Sequence, residues 1–209
     1  MTVNPSVQAL CDKFGGAVGR AVESCGDTIV YVEAGSLTDV MAFLKDSPDQ
    51  DYNYLVDITA VEYRDPERPL EMVYELYSFQ RGTQLRVKVE LDKAQELVVD
   101  SLVPIWNGAN WLEREVFDMF GVRFTDHPDL RRILMWETYD EGHPLRKDFP
   151  LRGRFSRAEQ VRQALNANPE AHYSMEEISI VEAYREIPAD MRERLARGER
   201  GKISEPESP

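Results

Sequence analysis

The sequence predicts an α+β fold: a small, mostly antiparallel sheet covered by N-terminal helices, in the order α-β-α-β-β-β-α, followed by an extended C-terminal segment. Three observations carry that prediction. Residues 84–91, QLRVKVEL, alternate cleanly, with Leu85, Val87, Val89 and Leu91 on one side and Arg86, Lys88 and Glu90 on the other, which is the period of a half-buried strand. The turn cluster Asp65-Pro66-Glu67-Arg68-Pro69 and the short connection 80–83 around Gly82 divide residues 52–91 into three consecutive strand-like runs, hence two hairpins. Helical periodicity flanks those runs on both sides. At 209 residues, 42% of them hydrophobic and 10% aromatic, the chain is long enough for one well-buried domain plus an extension.

The first element expected is a helix over 6–25, with Val7, Leu10, Phe14, Val18 and Val22 near helical spacing and Gly15-Gly16 as its weak point. Gly26 and Asp27 punctuate, and Thr28 to Glu33 is a β-branched and aromatic run of strand type. Ser36 or Thr38 can cap a second helix through Lys45, with Leu37, Val40, Met41 and Leu44 on one face and Ser47-Pro48-Asp49 ending it. Strands are then expected over 52–62, 70–79 and 84–91, with one sheet face wet and the other covered by the two N-terminal helices. Asn110 and Glu113 have capping-box spacing, so a helix is expected to start at Trp111. Its apolar stripe is Leu112, Val116, Met119 and Phe120; Glu113, Arg114 and Asp118 lie mostly off it, and Gly121 supplies the left-handed cap. Ser156 and Glu159 repeat the capping-box spacing for a helix to about Ala167 that Asn168-Pro169 stops. A further segment runs through Tyr184, and Pro188 can start a last helix closed by Gly198. The organisation that follows is an α+β domain over 1–121, an extended docking segment with short helices over 122–198, and a disordered tail over 199–209, which has almost no apolar side chains.

Chemistry-bearing residues concentrate between Trp106 and Phe155, a stretch holding all three tryptophans and two of the three histidines. Two His-Pro units stand in it, His127-Pro128 and His143-Pro144, each followed by clustered base: Arg131-Arg132 and Arg146-Lys147. Proline fixes its own φ and pushes the preceding residue out of the helical region, so both units read as turns or extended chain along a surface. Glu115 and Asp118, with His127, could hold a metal, but helical carboxylate sites use Glu-x-x-His pairs from several helices, and none occurs here. The favoured alternative is structural: an Arg114–Asp118 pair at i, i+4, with the remaining acids anchoring Arg131 or Arg132 folded back over the helix. No nucleophile elbow, H-E-x-x-H or phosphate-cradling glycine loop accompanies the histidines. They read as hydrogen-bonded turn residues, and the tryptophans as core or interface anchors.

The net charge of −13 and pI near 4.7 argue against nucleic acid, whose binding draws on Lys and Arg neutralising phosphates. No apolar run approaches the roughly 20 residues that span a bilayer, and the start lacks the pattern of an export signal. Against the acidic whole, Arg146, Lys147, Arg152, Arg154 and Arg157 face only Asp148 between 142 and 157, a basic strip suited to a partner with an acidic surface. Cys11 and Cys25 are the only cysteines, fewer than the roughly four ligands of a structural zinc or iron-sulfur site.

The run E-R-E-x-x-D at Glu113, Arg114, Glu115 and Asp118, then Gly121, then HPDLRRIL from His127 through Pro128, Asp129 and Arg132, then GHPLRKDFP from Gly142 through Asp148, closely resembles the 30 kDa subunit family of proton-pumping NADH:quinone oxidoreductase, respiratory complex I. Similarity extends upstream through DITAVEY (57–63), MVYELYS (72–78) and RVKVEL (86–91), with one departure at Asp126, where the family usually has glycine. The resemblance implies a small α+β domain whose C-terminal extension lies on the large quinone-site subunit, near the small iron-sulfur subunit, as a noncatalytic scaffold of the peripheral arm. It implies no flavin or cluster in this chain, with FMN, iron-sulfur clusters and quinone held by partner subunits. The assembly would sit on the cytoplasmic side of a bacterial inner membrane. Equivalent subunits of membrane-bound hydrogenases and other quinone- or ferredoxin-linked complexes are the nearest alternative, followed by a free-standing metalloenzyme.

Overall fold

In the computed structural model, residues 4–136, 138–151 and 153–167 are described. Two compact units divide at Phe155 and Ser156. The first holds α1 (Pro5–Phe14), β1 (Val18–Ser24), β2 (Asp27–Val32), α2 (Leu37–Asp46), β3 (Tyr54–Val61), β4 (Leu70–Ser78), β5 (Thr83–Leu91), β6 (Val98–Asp100), α3 (Ala109–Phe120) and β7 (Arg123–Thr125). Residues 122–155 thus belong to the same unit as the sheet, whereas the sequence reading closes that domain at 121. In the second unit α4 (Arg157–Ala167) starts where its cap predicts: the Glu159 amide donates to Ser156 Oγ at 3.3 Å. The segment through Tyr184, the helix at Pro188 and the tail lie outside the described residues.

The main sheet has the order β1-β2-β5-β4-β3. Its β1–β2, β3–β4 and β4–β5 pairs are antiparallel, and β2–β5 is parallel through Ile29↔Arg86, Val30↔Val87 and Tyr31↔Lys88. The parallel pair arises because β2 is followed by α2 and β3, which cross to the far edge before the β4–β5 meander returns to β2. Leu85, Val87, Val89 and Leu91 pair in register with Leu76, Tyr74, Met72 and Leu70, and all eight lie in one core with Leu55, Ile58 and Ala60 of β3. Val7 and Leu10 of α1, Leu37, Val40, Met41 and Leu44 of α2, and Ala109, Val116, Met119 and Phe120 of α3 join that core. Three helices therefore cover one sheet face, one more than the sequence assigns. Each Val, Leu, Ile, Met or Phe side chain among them contributes about 1.5–3 kcal/mol by leaving water.

Three expectations are corrected. The helix expected over 6–25 ends at Phe14, where Gly15 takes φ +51°, and residues 18–24 form β1 on the β-branched Val18 and Val22. Two glycines in succession favour chain reversal over helix. Helix α3 starts at Ala109, not Trp111, with no side-chain cap, because the Glu113 carboxylate is drawn inward to Ser101 and Leu102 and leaves the capping-box partner unmet. Strands β6 and β7 pair in parallel through Val98↔Arg123, Val99↔Phe124 and Asp100↔Thr125, flanking α3; three-residue strands carry too little periodicity to be read. Gly121 does take the left-handed cap, at φ +79°.

Asp126, the departure from the family pattern, has φ +59°. This is a conformation natural to glycine and tolerated by aspartate because its short side chain bonds locally. We predict that Asp126→Gly leaves the urea midpoint unchanged or raised, while Asp126→Val costs about 1–2 kcal/mol; a silent Asp126→Val would show that this turn is not held in the left-handed region.

Candidate functional site

The C-terminal turn of α3 is the point to which the irregular segment 126–155 is tied. Asp118 has a fully buried side chain; Oδ2 accepts from the amides of Ile133 (3.1 Å), Leu134 (2.8 Å) and Met135 (2.8 Å), and Oδ1 from Arg132 Nη1 (2.6 Å). Three successive amides converging on one oxygen make an anion nest. Burial disfavours the charged Asp118, but the Met135 amide, the Arg132 guanidinium and the Leu134 and Ile133 amides outweigh it and hold the carboxyl below its ordinary range. Arg132, 14% exposed, also donates from Nη2 to the Gly142 carbonyl (3.1 Å), so one guanidinium bridges the two His-Pro turns.

The helix end itself supplies acceptors. Its last carbonyls lack intrahelical partners, and the segment caps them: His143 Nδ1 donates to the Asp118 carbonyl at 2.9 Å, and the Leu145 amide to Met119 at 3.0 Å. Because a carbonyl only accepts, His143 carries its proton on Nδ1. Its ring lies on Gly121, where an added Cβ would come within 2.6 Å of Cδ2. Glycine is thus required there both by φ and by contact. The second histidine is fixed the other way: His127 Nδ1 accepts from the Asp129 amide (3.0 Å), so Nε2 donates, to the Asn110 carbonyl at 3.2 Å.

Glu113 stands one turn earlier, fully buried, accepting from Ser101 Oγ (2.7 Å) and the Leu102 amide (2.6 Å), with His127 Nε2 3.9 Å away. Burial raises its carboxyl to about 7 against the lowering effect of those two hydrogen bonds. Burial, and then the nearby Glu113, also push the Tyr74 hydroxyl well above its usual range.

Other members of the motif fall at the surface or at the margins of this clamp. Arg114 does not pair with Asp118 as expected; Nε and Nη2 donate to the carbonyls of Arg131 (3.0 Å) and Arg132 (3.2 Å), because Asp118 is committed to Arg132. Glu115 and Pro128 are exposed, and Pro144 is half-buried. Arg131, 61% exposed, makes a bidentate pair with Asp129 at 2.7 Å for both bonds. Arg146 lies between Glu62 (3.5 Å) and Asp148 (3.8 Å), and Lys147 is exposed while its amide donates to Glu62 at 2.7 Å. Of the four cations read as docking residues, Arg132 is therefore an internal clamp. Glu62, Ser101 and Tyr74 were missed as parts of the arrangement; Glu62 and Tyr74 carried a signal, their places in the DITAVEY and MVYELYS runs, and Ser101 carried none. Arg146, His143 and Gly121 line, with Phe120, Phe149 and Arg154, a cavity of about 270 Å³. No group of three His, Cys, Asp or Glu side chains able to hold a metal occurs among the described residues.

Residues 30–155 match the family described as respiratory-chain NADH dehydrogenase, 30 Kd subunit. The chain is 44% identical over 151 residues to the C subunit of NADH-quinone oxidoreductase from Geobacter sulfurreducens, covering 72% of this chain and 91% of that one. It is 45% identical over 136 residues to the subunit of the same name from Paramagnetospirillum magneticum, covering 65% and 67%. Among solved structures, a chain of the membrane-bound sulfane sulfur reductase, an archaeal respiratory membrane complex, shares the fold, with TM-score 0.58 and 24% identity over 75% of this chain and 88% of that one.

The Glu113 carboxyl fixes a pH dependence. A group raised in the folded state gives stability that is full below its unfolded value, 4.5, and lost as pH rises through about 7. Relative to Glu113→Gln, whose neutral side chain keeps a donor and an acceptor, the native chain is predicted to lose on the order of 3 kcal/mol between those limits. Parallel pH profiles for the two chains in denaturant titrations would contradict it.

Proposed function

The chain belongs to the family of the 30 kDa subunit of respiratory-chain NADH dehydrogenase, and on that premise we propose that it is a noncatalytic scaffold of the peripheral arm of a proton-pumping NADH:quinone oxidoreductase. In this reading it docks beside the large quinone-site subunit and the small iron-sulfur subunit, on the cytoplasmic side of a bacterial inner membrane. FMN, the iron-sulfur clusters and quinone belong to its partners, and the chain alone is inert toward NADH and quinone. Membrane association comes through the assembly; among the described residues no helix is long and apolar enough to cross a membrane.

The observation that carries the reading is the pairing of a rigid anchor with an apolar surface in segment 126–155. Leu134, Leu145, Leu151 and Phe155 are exposed there, as is Trp111 on the adjoining helix. Scattered exposed leucines are ordinary on any protein; three of them and a phenylalanine within 22 residues of irregular chain, tied at residues 132–135 to a buried carboxylate, fit a surface prepared for a partner. Arg131, Lys147 and Arg154, all exposed, add the positive rim that steers association with an acidic surface. The polar groups argue against chemistry in this chain: Asp118 has four donors, Glu113 two, and the His127 ring is fully buried. The archaeal likeness supports the fold alone, and so does not choose among electron donors.

The test is substitution at the rim, at Arg131, and at Arg146 beside it. If the Arg131 or Arg146 guanidinium meets a partner carboxylate at a desolvated interface, removing it costs on the order of 2–5 kcal/mol of association; on a solvated face the loss stays within about 1 kcal/mol. Arg131→Ala and Arg146→Ala are predicted to leave the free chain folded, by circular dichroism, and to lower the amount of assembled complex on native gels. NADH oxidation per assembled complex falls far less. Full assembly with turnover abolished would make these residues part of the reaction path.

A further inference from the structure

The sheet face turned away from the helices carries a second apolar surface, remote in sequence from segment 126–155. Tyr54 and Tyr77 face each other across β3 and β4, and Phe79 packs on both, at ring-centroid distances of 5.3 Å and 5.2 Å. Even in this cluster Phe79 stays 64% exposed and Tyr54 48%. Val56, at the bulge between Leu55 and Asp57, is exposed beside them on a strand at the edge of the sheet. Aromatic clusters are worth about 0.5–1.5 kcal/mol per pair beyond area, but a cluster formed only for internal packing would bury its rings.

A charge next to the cluster says what it takes. Asp57 pairs in register with Glu75, two residues from Tyr77 on the same strand, so it lies on the aromatic face. Like charges directly opposite each other on a sheet are destabilising. Arg86 relieves only one of them, because its guanidinium serves Glu75 and Asp27. The Asp57 carboxylate has no ion-pair or hydrogen-bond partner among the described residues. A carboxylate that opposes its neighbour and lacks an internal cation, set beside half-exposed aromatic rings, is placed for a cation from outside.

We propose that this face, formed by Tyr54, Val56, Tyr77, Phe79 and Asp57, docks a segment of another subunit that presents a lysine or arginine to Asp57 and an adjacent apolar side chain to the rings. The inference rests on the proposed role as a subunit of an assembly. It adds a contact on the opposite side of the sheet from α3, so the chain bridges two partner surfaces.

The experiment places the photoreactive p-benzoylphenylalanine at position 79 of the full chain, irradiates the purified assembled complex and sequences the cross-linked peptides. One partner subunit is expected, its cross-linked peptide carrying a Lys or Arg next to an apolar residue. Asp57→Lys should lower the yield roughly tenfold or more, while Asp57→Glu retains it. In the free chain Asp57→Lys should leave stability unchanged or raise it, since it faces Glu75; this separates lost docking from lost folding. A cross-link to a second copy of this chain, to a peptide without a cation, or with a yield indifferent to Asp57→Lys would overturn the proposal. So would a complex that contains the chain but gives no cross-link, and that outcome leaves the scaffold reading standing. A chain that co-purifies with no other subunit overturns both.

Discussion

Four donors converge on the Asp118 carboxylate, and the course of the chain after β7 depends on that convergence. The amides of Ile133, Leu134 and Met135 turn in one direction because one oxygen collects them, and Arg132 closes the other oxygen. A buried carboxylate without such partners would cost several kcal/mol; with them it fixes an irregular strand more firmly than apolar contact could, since hydrogen bonds have direction. The same guanidinium reaches Gly142, and His143 and Leu145 cap the helix carbonyls. A positive side chain at this end also complements the helix dipole.

The carboxyls of the two buried acids of α3 are shifted in opposite directions. Asp118 sits among four donors, one of them a full positive charge, and stays ionised; Glu113 has two neutral donors and is raised to about 7. The difference follows from what faces each group across the fold. Segment 131–145 brings amides and a guanidinium to Asp118, whereas β4 and the loop after β6 bring a phenol, a hydroxyl and one amide towards Glu113. Asp118 therefore secures the segment near neutral pH, while the burial of Glu113 costs least at lower pH, where its carboxyl is neutral.

Legibility in the sequence followed the strength of the local signal. The alternation of β5 and the apolar face of α2 were readable because each buries one kind of residue, whereas α3 buries Glu113 and Asp118 beside its apolar stripe. The parallel β2–β5 pairing was not, because it depends on where β3 and β4 lie, which no local period encodes. At the site, the motif residues could be named and the fold-back of an arginine onto α3 expected. Which arginine could not be: Arg131 and Arg132 are adjacent and alike, and only the backbone path sends one inward to Asp118 and leaves the other outside with Asp129. The capping box misled for the same reason, since donors at residues 101–102 outcompeted the local amide for Glu113.

The clamp is most directly tested by amide hydrogen exchange at Ile133, Leu134 and Met135 in the native chain and in Asp118→Ala. If the carboxylate orders the segment, these three amides are protected in the native chain and exchange near the rate of unstructured peptide in the variant. The β4 and β5 amides stay protected in both. Retained protection at residues 133–135 in Asp118→Ala would contradict the account and assign the order of the segment to its apolar contacts instead.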